Sequence, residues 1–153
     1  MAIENTLITD RLINAPRELV WKAWTDPEDL AKWWGPEGFS NPVCKVDVKE
    51  GGNIYIVMQA PDGQQYPMDG SFIEIIAPEK LVFISAALDA EGKRLFEVTN
   101  TVLFTEQGNK TRLQLTASVS NIRPEAMQMV KDMKEGWNSS IDCLEKFLSE
   151  IPQ

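Results

Sequence analysis

The chain contains no histidine. That absence excludes Ser-His-Asp and Cys-His catalysis, a histidine general base near neutral pH, and nearly all common catalytic zinc sites. Cysteine is also scarce. Cys44 and Cys143 stand far apart without CxxC spacing, so two reduced, buried thiols are expected rather than a disulfide or metal framework. Basic charge is thin: 15 Lys and Arg face 23 Asp and Glu, for a net charge of −8, and the longest basic cluster is the pair Lys93-Arg94. Such a surface suits neither nucleic acid nor an anionic membrane. No apolar run approaches the roughly 18 residues of a bilayer span. The N-terminus MAIENTLITDR lacks both a basic n-region and an apolar h-region, so a cytoplasmic location without a membrane span is expected.

At 153 residues and 43% hydrophobic, the chain has the size of one domain, residues 1–153, able to bury about two-thirds of its unfolded surface. Four of its five tryptophans fall in Trp21 to Gly38 (WKAWTDPEDLAKWWGPEG), a stretch cut by Pro27 and Pro36. Two short helices are expected there. The first starts behind Asn14-Ala15-Pro16, with Leu19, Val20, Ala23 and Trp24 at helical spacing. The second starts with Asp26 as cap and Pro27 in its first turn, and Gly35-Pro36-Glu37-Gly38 stops it.

Thr6 to Asn14 reads as a first strand. From Val43 to Val119 alternating strands follow: Val43 to Lys49, Ile54 to Ala60, Met68 to Ile76, Lys80 to Ala87, Phe96 to Thr105 and Thr111 to Ser120. Turns at Glu50 to Asn53, Pro61-Asp62-Gly63, Ala77-Pro78-Glu79, Asp89 to Lys93 and Gln107-Gly108-Asn109 join them as an antiparallel meander. Then the period changes. Val130, Met133, Trp137, Ile141, Leu144 and Leu148 form one apolar stripe, predicting a continuous helix of roughly 25 residues behind Arg123-Pro124-Glu125. The expected fold is α+β: a curved antiparallel sheet of six to seven strands wrapped around a long C-terminal helix, with two short helices after the first strand. One face of such a sheet must be covered, and the long helix across its concavity covers it.

These residues resemble a known group. Asn14-Ala15-Pro16 with Val20-Trp21, Trp24-Thr25-Asp26-Pro27, Leu30, Trp33-Trp34-Gly35-Pro36, Asp47 before Gly51-Gly52, Asp62-Gly63, Gly70 before Glu74, Pro78 to Phe83, Thr111-Arg112-Leu113 and Gly136-Trp137 follow the order found in the START-like (SRPBCC) helix-grip superfamily. Within it they resemble the bacterial activator of Hsp90 ATPase homologue-like family. The resemblance runs from about residue 6 to 149 and rests on order and spacing rather than on one motif. It implies a hydrophobic cavity between sheet and long helix, used across the superfamily for apolar small molecules and lipids. It implies no single activity. The chaperone role behind the family name belongs to proteins with an additional chaperone-binding domain and is not carried over.

Strand alternation and the helical stripe together nominate the residues that would face such a cavity: Ile54, Ile56, Met58, Phe72, Phe83, Phe96 and Val98 from the sheet, and Met129, Met133, Trp137 and Ile141 from the helix. For each the alternative is a solid core; methionines at facing positions favour adaptable binding. Val102, Leu113 and Leu115 are expected on the same inner face. Trp33 and Trp34 point about 100° apart on a helix, so one anchors the core and the other lines the mouth, near Phe39. Ser85 and Asn100 are polar exceptions on the inner face, with Thr101, Tyr55 and Tyr66 depending on register. A buried Asn100 amide must either bond neighbouring backbone or be offered to a ligand. Gly51-Gly52 reads as a hairpin turn, lacking the helix and lysine of a phosphate loop. Asp47, Glu50, Asp62, Asp69 and Glu97 show no spacing that singles out a catalytic pair, and Lys93-Arg94 is either solvated or free to meet a ligand carboxylate.

The expectation is therefore a non-enzymatic binding protein for a hydrophobic small molecule or lipid, with no metal and no cofactor. One alternative is a polyketide cyclase-like or hydrolase-like enzyme using the same cavity. Another is a protein-interaction module, for which a chaperone partner is conceivable without support from the sequence. A homodimer is compatible with the composition.

Overall fold

The computed structural model describes residues 6–151. Seven strands form one antiparallel sheet in the order β1-β7-β6-β5-β4-β3-β2. They are β1 Thr6–Ile13, β2 Ser40–Val46, β3 Asn53–Gln59, β4 Gln65–Ile76, β5 Lys80–Leu88, β6 Arg94–Gln107 and β7 Lys110–Ser120. The meander expected from turn spacing runs from β2 to β7 in sequence order, and β1 closes the far edge against β7, from Thr6 opposite Ser118 to Ile13 opposite Thr111. The helices are α1 Arg17–Thr25, α2 Pro27–Trp33, α3 Met127–Lys131 and α4 Met133–Ser149. This is the helix-grip arrangement, with α4 laid across the concave face. Among the described residues no helix is long and apolar enough to cross a membrane.

Alternation fixes which face is covered. Ile54 and Ile56 of β3, Phe72 of β4, Leu81 and Phe83 of β5, Val102 and Phe104 of β6, and Leu113 and Leu115 of β7 are buried together with Ile141, Leu144 and Leu148 of α4. The register skips Ile73 in β4, opposite Val82 and Phe83 of β5, and Leu95 in β6, opposite Ala87 and Leu88 of β5, which places a bulge in β4 and in β6. Such bulges bend a strand and strengthen its twist, which suits a sheet that must wrap a helix. Gly52 belongs to the turn before β3, where a Cβ would lie 1.9 Å from the Asp47 carbonyl oxygen. The turn reading of Gly51-Gly52 stands, with the Gly52 amide bonded to the Lys49 carbonyl at 2.8 Å.

The break between α1 and α2 follows from the residues that signal it. The Asp26 carboxylate accepts the Glu28 amide at 2.9 Å, and Pro27 occupies the first turn, where its missing N–H costs nothing. At the other end, Asn41 Nδ2 donates to the carbonyls of Ala31 and Trp34, at 2.9 and 2.7 Å, and so ties off α2. The C-terminal helix departs from expectation. It is interrupted: a 3-10 turn at Pro124–Ala126 and the short α3 precede α4, and Asp132 between them sits at φ −86°, ψ −4°. That lies at the edge of the right-handed helical region, so the interruption is one residue long. Backbone bonds continue across it, from the Asp132 amide to the Gln128 carbonyl at 3.1 Å and from the Gly136 amide to the Asp132 carbonyl at 3.0 Å, and Val130 of α3 packs, partly buried, against the cluster of Phe96, Val98, Ala117 and Ala126. From Ser140 onward α4 is anchored by burial and by Arg11 of β1, whose guanidinium donates to the Asn138 carbonyl at 3.1 Å and pairs with Asp142 and Glu145.

Candidate functional site

A cavity of about 260 Å³ lies between the sheet and the α3–α4 junction of the C-terminal helix. Its floor is Met58 of β3, Tyr66, Pro67 and Met68 of β4, Ser85, Ala86 and Ala87 of β5, and Phe96 and Val98 of β6. Its roof is Met129 of α3, the junction residue Asp132, and Met133, Gly136, Trp137 and Ser140 of α4. Trp34, Gly35 and Pro36 form the side wall. The space exists because small residues oppose one another: Ser85, Ala86 and Ala87 below face Gly136 and Ser140 above. Nothing lies within 4 Å of where a Gly136 Cβ would stand.

The two neighbouring tryptophans divide their roles. Trp33 is 2% exposed and its indole N–H donates to the Ala23 carbonyl at 2.8 Å, which makes it core between α1 and α2. Trp34 lines the cavity and meets Trp137 edge-on, ring centroids 5.4 Å apart. Behind them Trp24 stacks on Trp137 at 6.0 Å and 19°. Trp21 packs edge-on against Phe104, 5.2 Å away. Aromatic pairs of this kind contribute roughly 0.5–1.5 kcal/mol beyond their buried area, so the wall is stiff where it is made of rings and compliant where it is Met58, Met129 and Met133.

Of the residues nominated from sequence, Trp34, Met58, Ser85, Phe96, Val98, Met129, Met133 and Trp137 reach the cavity wall. Ile54, Ile56, Phe72 and Phe83 do not. They surround a void of only about 20 Å³ further along the concave face, under Trp24, Leu30 and Trp34. Ile141 is fully buried core one turn beyond Trp137. Phe39 falls outside as well, because the loop after Pro36 turns it toward a separate groove and against the Tyr66 ring, 6.0 Å away. Trp33 lies on that same groove. Gly35 and Pro36, which follow Trp34 in the stretch expected to face a ligand, line the cavity, whereas sequence reasoning missed Pro67, Met68, Ala86, Ala87, Asp132, Gly136 and Ser140. The usable signal was the small residues: a Gly and a Ser one turn apart on the inner stripe of a long helix leave room.

Polar groups on the wall are few. Asn100 is fully buried beneath it: its Nδ2 donates to Ser85 Oγ at 3.0 Å and to the Phe83 carbonyl at 3.3 Å, while its Oδ1 has no partner. Tyr66, Ser140 and Asp132 complete the polar contribution. The carboxylates considered from sequence are employed elsewhere. Asp69 and Glu97 flank Arg94 on the outer face, and the hydrogen bonds of Asn121 and Arg94 hold the Glu97 carboxyl below its ordinary value. Arg94 is thereby taken up by protein carboxylates rather than offered to a ligand. Asp62 and Glu50 accept backbone amides of Gln64 and Ile75. Both cysteines are free thiols and partly buried, and burial pushes the Cys44 thiol up to about 11. Among the described residues no group of three or more His, Cys, Asp or Glu side chains is placed to hold a metal ion.

The second groove, about 460 Å³, runs between Gly35–Phe39 and the C-terminal half of α4. It is larger but carries Lys32, Lys146, Glu37, Asp142 and Glu150 on its walls. Small-molecule sites are mostly apolar with a few convergent polar groups. That description fits the cavity under Trp137, not the charged groove.

Comparison with known proteins supports the architecture. A solved protein of Nitrosomonas europaea is 30% identical, with a TM-score of 0.79 over 98% of this chain and 97% of that one. One of Mycobacterium smegmatis is 27% identical, with a TM-score of 0.81 over 98% and 94%. One of Arthrobacter aurescens is 26% identical, with a TM-score of 0.85 over 98% and 89%. No curated protein matches the chain. The sequence profile described as "Activator of Hsp90 ATPase homolog 1-like protein" matches residues 14–149, from the strand end at Asn14 to the last turn of α4. The chain therefore belongs to the family of Activator of Hsp90 ATPase homolog 1-like proteins.

Proposed function

We propose that this protein binds a small apolar molecule between its sheet and α4, without performing chemistry on it. The observation that carries this function is the apolar cavity of about 260 Å³. Small-molecule sites are concave and mostly apolar, with a few polar groups. An apolar recess of this size, walled by two tryptophans and four methionines and roofed by a helix interrupted at Asp132, is suited to a guest. Hydrolase or cyclase chemistry would need convergent ionisable groups. The ionisable side chains on this wall are Tyr66 and Asp132.

A partner-binding function, suggested by the family description, has one observation in its favour. Ile8, Leu12 and Ile73 are half or more exposed, at 64%, 51% and 50%. These lie away from the cavity, so the two functions are separable. The test uses the uncharged dye N-phenyl-1-naphthylamine and the variant Gly136→Leu, whose added side chain enters open space. Wild type should enhance the dye's fluorescence saturably, and the variant should lose that enhancement while keeping a cooperative thermal transition. Undiminished enhancement in the folded variant would remove the cavity as the binding site.

A further inference from the structure

The polar atoms on the cavity wall specify a ligand chemistry, provided that the cavity is a binding site for apolar molecules as proposed above. Asn100 Nδ2 lies 3.0 Å from Ser85 Oγ, 3.3 Å from the Phe83 carbonyl oxygen and 3.4 Å from the Val98 carbonyl oxygen. Both carbonyls are acceptors only, so the atom facing them is the amide nitrogen and the orientation of the amide is settled. Ser85 Oγ is therefore an acceptor toward Asn100, and its own proton is not used there. Ser85 stands on the cavity wall, so that proton is available to whatever occupies the space. Asn100 is fully buried and fixes the donor in place.

Charge completes the pattern. Among the described residues no lysine or arginine lines the cavity, and Asp132 at its rim is exposed, with its carboxylate on Gln128. Asp132 occupies the N-cap position of α4 but makes no side-chain capping bond, its carboxylate being held by Gln128 Nε2 at 3.1 Å. An anionic ligand would lose hydration there without a counter-charge. A hydrocarbon would leave the Ser85 donor unpaired. A cavity of about 260 Å³ suits a compact ligand core of one or two rings.

We infer that the cavity selects a compact, neutral apolar ligand bearing one hydrogen-bond-accepting oxygen, such as a ketone or ester carbonyl, which accepts from Ser85 Oγ, and that it rejects carboxylates. The test compares three near-isosteric probes with the full chain by equilibrium dialysis at pH 8: 2-ethylnaphthalene, 2-acetylnaphthalene and 2-naphthoate. The ketone should bind about 5-fold or more tighter than the hydrocarbon, and the carboxylate should bind at least about 30-fold more weakly than the ketone. Ser85→Ala should reduce ketone binding to the hydrocarbon's level and leave hydrocarbon binding unchanged within about 2-fold. Naphthoate binding as tightly as the ketone, or a ketone no tighter than the hydrocarbon, overturns this ligand assignment while leaving the apolar site standing; both comparisons need only the wild-type protein. Failure of all three probes to bind overturns the site as well.

Discussion

The concave face of the sheet has two ends built from the same alternating strands, and they finish differently. Under α1 and α2, Trp24, Leu30, Phe72 and Phe83 close the space to about 20 Å³. Under the Asp132 break, Met58, Phe96 and Trp137 enclose about 260 Å³. Periodicity is equal at both ends, so it does not decide between solid and hollow. The size of opposing side chains does: two short helices press large rings onto large rings, whereas α4 brings Gly136 and Ser140 over Ser85, Ala86 and Ala87. Helix continuity differs too. Asp26 caps α2 with its carboxylate, while Asp132, at the same position of α4, makes no such bond.

The sharpest way to break this comparison is to remove a ring from the solid end. Trp33→Ala should cost about 3–5 kcal/mol, the range for truncating a buried aromatic, and it also deprives the Ala23 carbonyl of the indole donor. Urea denaturation reads the loss. Trp34→Ala, at the boundary between the two ends, should cost less and change the affinity for an uncharged naphthyl dye. Equal losses of stability with unchanged dye binding would make both rings core and erase the distinction.

A smaller effect separates the two aspartates. Asp26→Ala should lower stability by about 1 kcal/mol through the lost cap, whereas Asp132→Asn, which removes no capping bond, should stay within about 0.5 kcal/mol. The pH dependence follows from the cap. The Glu28 amide, and secondarily Lys22, hold the Asp26 carboxyl below its ordinary value. A depressed folded-state value means that the contribution is complete above the unfolded carboxylate value of about 3.9 and is lost as pH falls through the lower folded value. Stability of wild type and Asp26→Ala, measured from pH 7 down to pH 3, should therefore converge at the acid end. A constant gap would mean that the cap acts without its charge.

The arrangement of strands was legible because each signal was local. Alternation named the inner residues of β3, β5, β6 and β7, and Asp26-Pro27 marked a helix boundary by chemistry that acts within three residues. The one-residue break at Asp132 was not legible, since Val130, Met133 and Trp137 keep helical spacing across it and Val130 still packs against the sheet. The site was legible in half. Trp34, Met58, Ser85, Phe96, Val98 and Trp137 follow from face and size, yet Ile54, Ile56, Phe72 and Phe83 carry the same pattern and pack solid. Apolar alternation reports that a residue faces inward. It does not report whether anything stands opposite.

The smallest expected effect tests the hollow end from within the helix. Gly136 carries no positive φ, lies in the first turn of α4, and has nothing within 4 Å of its would-be Cβ. Gly136→Ala should thus raise stability by about 0.5–1 kcal/mol, because alanine loses less backbone freedom on folding and meets no neighbour. One methyl group occupies little of the cavity, so dye affinity should persist, in contrast to Gly136→Leu. A gain in stability with binding retained would mean that glycine stands here to keep space rather than to permit a backbone conformation. Absence of any gain would instead tie Gly136 to the break at Asp132 one turn earlier, whose carbonyl accepts the Gly136 amide at 3.0 Å. The hollow would then owe its size to the break in the helix, not to the side chain missing from it.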